Sequence, residues 1–187
     1  MEIKSEALKR AINIKMIIFD VDGVLTDGGI YIGENGELYK PFFCRDGLAI
    51  TLSQKAGLKT AIITGRNSKQ LAYRAKELKI NEVFQGHMDK RAAYRELKSK
   101  TGFSDEEIAY IADDLIDLPI LLQVGLPMAV GDAVPEVRKE SLLVSGFNGG
   151  HGAVRELLEF ILKAQGRWDG IIREFYNDPS KLDDLGQ

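Results

Sequence analysis

The sequence predicts an α/β fold in which a parallel sheet carries helices on both faces and a small β-hairpin is attached. Three observations support this. Short apolar runs, such as Met16-Ile17-Ile18-Phe19 and Ile108-Ala109-Tyr110-Ile111-Ala112, alternate with helix-like segments, as buried parallel strands do. Asn35-Gly36 lies between two short β-prone stretches, a pairing that favours a tight hairpin turn. The chain has 187 residues, 44% of them hydrophobic, with a net charge of −3, which is enough for one core and too little for two full domains.

Ile14–Phe19 reads as the first strand and runs straight into the glycine-rich stretch 22–29. Residues 29–40 form the expected hairpin, with Asn35-Gly36 supplying two positive φ angles. Gly47–Ala56 is a helix closed by Gly57 as a left-handed cap. Strand Leu58–Ile63, helix Ser68–Lys79, strand Glu82–Phe84 and helix Asp89–Lys100 follow. Ser104 and Glu107 make a capping box just ahead of strand Ile108–Ala112. Helix Ile116–Leu122, strand Met128–Val130, helix Val134–Lys139, strand Leu142–Val144 and helix Gly152–Gln165 complete the pattern. One domain is expected over 1–170 with the hairpin flap at about 29–42, then a C-terminal tail over 171–187 that frays from Asp178 onward.

Composition removes several function classes. Twenty-five basic against 28 acidic residues leave no basic footprint for nucleic acid or an anionic membrane. The single Cys44 rules out an internal disulfide framework, and two histidines, His87 and His151, make a histidine-built zinc site improbable. The charged start MEIKSEALKR lacks the apolar centre of a secretory signal, so the reduced cytosol is the expected compartment. No glycine-rich nucleotide fingerprint of the Gly-x-x-x-x-Gly-Lys-Ser/Thr or Gly-x-Gly-x-x-Gly kind occurs. A metal, if used, is held by carboxylates.

Open parallel sheets bind ligands at the carboxyl ends of their strands, and four polar groups follow apolar runs there. Asp20-Val-Asp22-Gly23 follows the first run. Two carboxylates beside a buried strand are costly without a cation, and Mg²⁺ is the usual oxygen-ligated partner. A plain Asp-Gly turn is the alternative. A calcium loop is disfavoured because Tyr31 stands where its closing Glu belongs. Thr64-Gly65-Arg66 ends the second run, where a hydroxyl and a backbone N–H can donate to phosphate oxygens. Lys90 opens a helix and, taken alone, reads as an ordinary solvated lysine. Asp113, Asp114 and Asp117 crowd five positions among apolar neighbours, which favours a shared cation over the alternative of a solvated acidic turn.

In order, these four sites match the signature motifs of the haloacid dehalogenase superfamily: Asp-x-Asp-x-Thr/Val, a hydroxyl residue, a lysine and an acidic pair. The chain further resembles the branch of 3-deoxy-D-manno-octulosonate 8-phosphate phosphatases in the stretches 19–28, 44–47, 63–66, 113–119 and 149–156. The resemblance implies a Rossmann-like fold and a Mg²⁺-dependent phosphatase acting on a sugar acid phosphate, in lipopolysaccharide precursor synthesis. Asp20 would be the nucleophile and Asp22 the general acid and base. Mg²⁺ would be held by Asp20, the backbone carbonyl of Asp22 and Asp113. Thr64 and Lys90 would hold the transferring oxygens, while Asp114 and Asp117 would orient Lys90 or metal-bound water. Arg45, Gly65, Arg66, Arg74 and His151 match positions serving the anionic sugar acid, where a guanidinium suits a carboxylate.

The stretches 23–63, 65–89 and 91–112 are too short for a large cap domain, and the branch covers its sites by forming homotetramers. The hairpin residues Ile30, Ile32 and Leu38 are expected at that interface, or else packed on their own sheet. Arg74 reads equally well as a solvated helix residue, Arg155 as a structural ion pair, His87 as a loop residue and Cys44 as packing near the hairpin base. Two positions depart from the branch: Ala112 replaces a common Gly, and His151 a frequent Arg or Lys. The alternatives are a phosphatase of nine-carbon sugar acid 9-phosphates, which shares the catalytic set, and a catalytically silent binding module.

Overall fold

The computed structural model describes residues 1–177, so the frayed tail expected from Asp178 lies outside the described residues. The main sheet has seven strands: β1 (Glu2–Ile3), β2 (Met16–Phe19), β5 (Lys59–Ile63), β6 (Glu82–Phe84), β7 (Ile108–Ala112), β8 (Leu126–Ala129) and β9 (Leu143–Val144). Their spatial order is β1-β9-β8-β7-β2-β5-β6, with β1 antiparallel to β9 and the other pairings parallel. The chain leaves β2 toward β5 and β6, then returns past it to β7. The gap between β2 and β7 is therefore the topological switch point, where an open sheet exposes a crevice at its carboxyl edge.

Every residue of β2 and β7 is buried, and Phe19 lies opposite Ile111. Unbroken apolar runs are what strands covered on both sides require. Helix α2 (Cys44–Lys55) packs along α7 (Ala153–Ala164) with α1 (Ala7–Ala11) beside it, while α4 (Lys90–Thr101) packs on α5 (Leu118–Leu121), which touches α6 (Pro135–Glu140). Helix α3 (Lys69–Glu77) starts at Ser68, whose side chain accepts the Leu71 N–H at 3.3 Å. Asp89 caps α4 in the same way, and Gly102 (φ +74°) closes it.

The expected architecture is present, with local differences. The hairpin forms from β3 (Tyr31–Gly33) and β4 (Gly36–Tyr39). Only Gly36, at φ +102°, takes the left-handed conformation, so the paired positive φ angles expected of Asn35-Gly36 are not realised. The turn falls instead on Glu34-Asn35, with Gly33 paired to Gly36, and a bulge shifts the register between Tyr31 and Ile32. Residues 115–122 split into a 3₁₀ turn, Leu115–Asp117, and the short α5, because Pro119 cannot donate within a longer helix. Edge strand β1 and helix α1 carry too few apolar residues to be read from the sequence. Helix α8 (Trp168–Asn177) packs on α7 and runs through the boundary drawn at 170/171. Among the described residues no helix is long and apolar enough to cross a membrane.

Candidate active site

Asp20 is the first residue beyond β2, fixed by its N–H donating to Ile111 O at 3.2 Å. Asp113 is the first beyond β7, so the switch point sets the two carboxylates side by side. Asp117 joins them from the 3₁₀ turn, and carboxylate oxygens of Asp20, Asp113 and Asp117 lie within 4.8 Å of one another. Asp117 is fully buried and saturated with donors. Its Oδ2 accepts the N–H groups of Asp113 at 3.1 Å and Asp114 at 3.4 Å, and its Oδ1 accepts the Tyr110 hydroxyl at 2.6 Å and Lys90 Nζ at 2.5 Å.

Lys90 is 0% exposed, so the solvated reading of this residue does not hold. Its Nζ also donates to Tyr110 Oη at 3.2 Å and lies 2.7 Å from Asp20 Oδ1, an ionic contact outside hydrogen-bond geometry. Burial works against the charged lysine, but Asp20 and Asp117 outweigh it and hold its pKa above the usual range. The carboxylates shift the other way. Burial, then the charges of Asp20 and Asp117, push Asp113 up; burial, then Asp117, push Asp20 up despite Lys90. Asp113 Oδ1 is buried with no hydrogen-bond partner. Crowded oxygen donors whose charge one lysine does not balance fit a hard divalent cation such as Mg²⁺, which would restore them to carboxylates.

Around this cluster the chain approaches itself closely. Gly23 (φ +89°) leaves room for Asp113, since a Cβ there would collide with the Asp113 carboxylate. A Cβ at Gly149 would overlap the Gly23 carbonyl, so the Gly149-Gly150 loop serves to seat the 23–27 loop. Thr64, 2% exposed, follows β5, the direct neighbour of β2. Its N–H donates to Phe84 O at 2.9 Å, and its Oγ1 accepts the Arg66 N–H at 3.5 Å. A Cβ at Gly65 would meet Met88 Sδ at 2.7 Å, a contact the exposed Met88 side chain can relieve by shifting.

The Asp22 carboxylate pairs with Lys40 Nζ, with Arg66 Nε 3.9 Å away. Arg66 also lies 3.8 Å from Glu37 of the hairpin. Asp114, expected to help orient Lys90, is exposed and caps the 3₁₀ turn by accepting the Leu115 N–H at 2.7 Å; Asp117 alone of the two touches Lys90. Three expected substrate residues have contacts of their own, none of them with Asp20. Arg45 stacks on Phe43 and shares a cavity with His151 and Arg155. Arg74 pairs with Glu77 at 2.7 Å and packs on Gly47. His151 Nδ1 is 2.8 Å from Gly149 O. Arg155 pairs with Glu159 at 3.2 Å and faces Trp168, while Cys44 is exposed.

Three contributing residues gave no sequence signal: Tyr110 reads as core, and Glu37 and Lys40 as hairpin surface. Asp46 falls in the resembling stretch 44–47, but without an assigned role and ahead of the helix expected from Gly47. Asp46 is in fact buried and caps α7 across the fold, accepting the Arg155 N–H at 2.7 Å and the Gly152 N–H at 3.3 Å.

A doubly wound sheet with a carboxylate cluster and a buried lysine at its switch point defines a haloacid dehalogenase-like hydrolase, and the family of that description matches residues 75–157. Among individual relatives, the 3-deoxy-D-manno-octulosonate 8-phosphate phosphatase of Yersinia pestis is 45% identical over 168 residues, 90% of each chain. Its Escherichia coli K12 counterpart is 42% identical, with 89% of each chain covered. The crystal structure of the Moraxella catarrhalis 3-deoxy-D-manno-octulosonate 8-phosphate phosphatase, in complex with magnesium ion, phosphate ion and a KDO molecule, aligns with a TM-score of 0.88 at 40% identity, covering 91% of this chain and 98% of that one. The chain belongs to the family of 3-deoxy-D-manno-octulosonate 8-phosphate phosphatases.

Proposed function

We propose that this chain is a Mg²⁺-dependent phosphoric monoester hydrolase that releases phosphate from 3-deoxy-D-manno-octulosonate 8-phosphate, a step toward lipopolysaccharide precursors. The observation that carries this reading is the buried Asp20–Asp113–Asp117 cluster braced by Lys90 at the switch point. It is supported by relatives 42–45% identical across nine-tenths of the chain.

Asp20 and Asp113, with the backbone carbonyl of Asp22, would hold the ion, which when bound neutralises charge on the phosphoryl oxygens and on the nucleophile. An Asp20 carboxylate oxygen attacks phosphorus in line as the ester P–O bond breaks, giving an aspartyl-phosphate and the sugar alcohol. Asp22 donates the proton that the departing oxygen needs. It then takes a proton from the water that attacks the phosphoryl group, which regenerates the Asp20 carboxylate and frees phosphate. Lys90 and the Thr64 hydroxyl donate to the transferring oxygens, where charge must be stabilised. Asp117 holds Lys90, and Arg66 at the mouth attracts the substrate carboxylate.

The hairpin residues Ile30, Ile32 and Leu38 are 52%, 75% and 63% exposed. An apolar face this open, beside a site with no large cap, supports the reading that neighbouring subunits of a homotetramer cover it. A sizing experiment that returns an active monomer would refute that assembly. The substrate is tested by phosphate release from eight- and nine-carbon sugar acid phosphates, with Mg²⁺ and with chelator. Preference for the eight-carbon ester is expected. Preference for a nine-carbon ester would overturn the substrate, and no release from any ester would revive a silent module.

A further inference from the structure

We propose that Lys40 is a positioning residue: the flap reaches into the site through it and fixes the direction of the Asp22 carboxylate. The inference rests on the reading of Asp22 as the general acid.

Lys40 sits just past the end of β4, yet its side chain is only 2% exposed. A buried ammonium persists only where charges and acceptors surround it. Its Nζ pairs with Asp22 Oδ1 and lies 3.2 Å from Glu37 Oε1. Glu37 is itself tied to the N-terminus of α3, where its carboxylate accepts the Ser68 hydroxyl at 2.5 Å and its backbone carbonyl accepts Gln70 Nε2 at 3.0 Å. The flap is therefore anchored to the body of the domain through Glu37, and Lys40 transmits that anchorage to Asp22.

The other charged group facing this network, Arg66, stands 3.9 Å from Asp22 and 3.8 Å from Glu37 with its side chain 43% exposed. Lys40 is thus the close, desolvated partner and Arg66 the distant, wet one. Asp22 precedes Gly23, whose φ of +89° marks a sharp bend, and its side chain has no hydrogen-bond donor besides Lys40 among the described residues. Without Lys40, nothing rigid would hold this carboxylate toward the leaving oxygen. Misplacing a proton donor by about 1 Å costs on the order of a hundredfold in rate.

The effect depends on the leaving group. An alkoxide cannot depart unprotonated, whereas a nitrophenolate can. The test measures kcat/KM for Lys40→Met, Lys40→Arg, Glu37→Gln and Asp22→Asn with three esters: the sugar acid phosphate, glycerol phosphate and p-nitrophenyl phosphate. Because kcat/KM reports events up to departure of the leaving group, Lys40→Met should lose about a hundredfold on both alkyl esters and less than about threefold on the aryl ester. Lys40→Arg should recover part of the alkyl loss, and Glu37→Gln should show the same pattern more weakly.

Equal losses on all three esters would mean that Lys40 only supports the fold. A loss confined to the sugar acid would mean that it binds the substrate carboxylate. Either result overturns the proposal, and Glu37→Gln decides the matter if Lys40→Met does not fold. If Asp22→Asn discriminates between alkyl and aryl esters but Lys40→Met does not, only the role of Lys40 fails. If Asp22→Asn does not discriminate either, the reading of Asp22 as the acid fails with it.

Discussion

Lys90 Nζ lies 2.5 Å from Asp117 Oδ1, and both side chains are fully shielded from solvent. A buried pair this close is weak support for stability in itself, but removing one member leaves the other charge stranded. Asp117 orients Lys90 and also holds the turn that carries Asp113. Asp117→Leu is expected to destabilise the fold by about 3–5 kcal/mol. The conservative Asp117→Asn is expected to fold and to lose at least about a hundredfold in kcat through a misdirected Lys90. Urea melts and steady-state rates check both; near-normal turnover by Asp117→Asn would remove Lys90 orientation from the mechanism.

Mg²⁺ binding should stabilise the folded chain through the same cluster. At a free concentration about 100 times its Kd, an ion bound only by the native state adds about 2.7 kcal/mol. Calorimetric melts should show Tm rising with Mg²⁺ for the wild type and hardly at all for Asp113→Asn. An unchanged shift in that variant would take Asp113 out of the ion's ligand set.

Gly149 acts as a spacer. A Cβ at that position would overlap the Gly23 carbonyl and push the 23–27 loop away from Asp113. Gly149→Ala is therefore expected to cost about 1–3 kcal/mol as an overpacking change and to lower activity, whereas Gly170→Ala, with open space around the position, should change neither. Melting curves and rates of the two variants check this.

Asp46 gives a pH signature away from the metal cluster. Burial, opposed by its bonds from the Arg155 and Gly152 N–H groups, raises its pKa above the usual 3.8. The folded chain then keeps this proton after the unfolded chain has released it. The residue's contribution is thus greatest below 3.8 and declines as the pH climbs through the folded value. The stability difference between wild type and Asp46→Asn should fall as the pH rises past 3.8; a rise there would contradict the burial argument.

Much of this was legible in the sequence because the strands are unusually plain. Glu82–Phe84 and Ile108–Ala112 fall where the apolar runs place them, and the acids that follow strands can only lie at the carboxyl edge. The capping box at Ser104 and Glu107 forms as its spacing implies. What stayed hidden depends on contacts distant in sequence. Lys40 is an ordinary hairpin lysine until the flap folds back on Asp22, and Tyr110 is one more apolar strand residue until Lys90 and Asp117 meet its hydroxyl. The motif match gave Asp114 and Asp117 equivalent tasks. Only the 3₁₀ turn between them separates an exposed cap from a buried clamp.

The central claim is that Asp20 becomes phosphorylated during turnover. Its most direct test is acid quenching of the enzyme during steady-state hydrolysis of 3-deoxy-D-manno-octulosonate 8-phosphate with Mg²⁺, followed by mass spectrometry of the peptide containing Asp20. The account predicts one added phosphoryl group on Asp20 in the wild type, and neither adduct nor phosphate release from a folded Asp20→Asn. Near-normal release by Asp20→Asn, or an adduct on another residue, would contradict it.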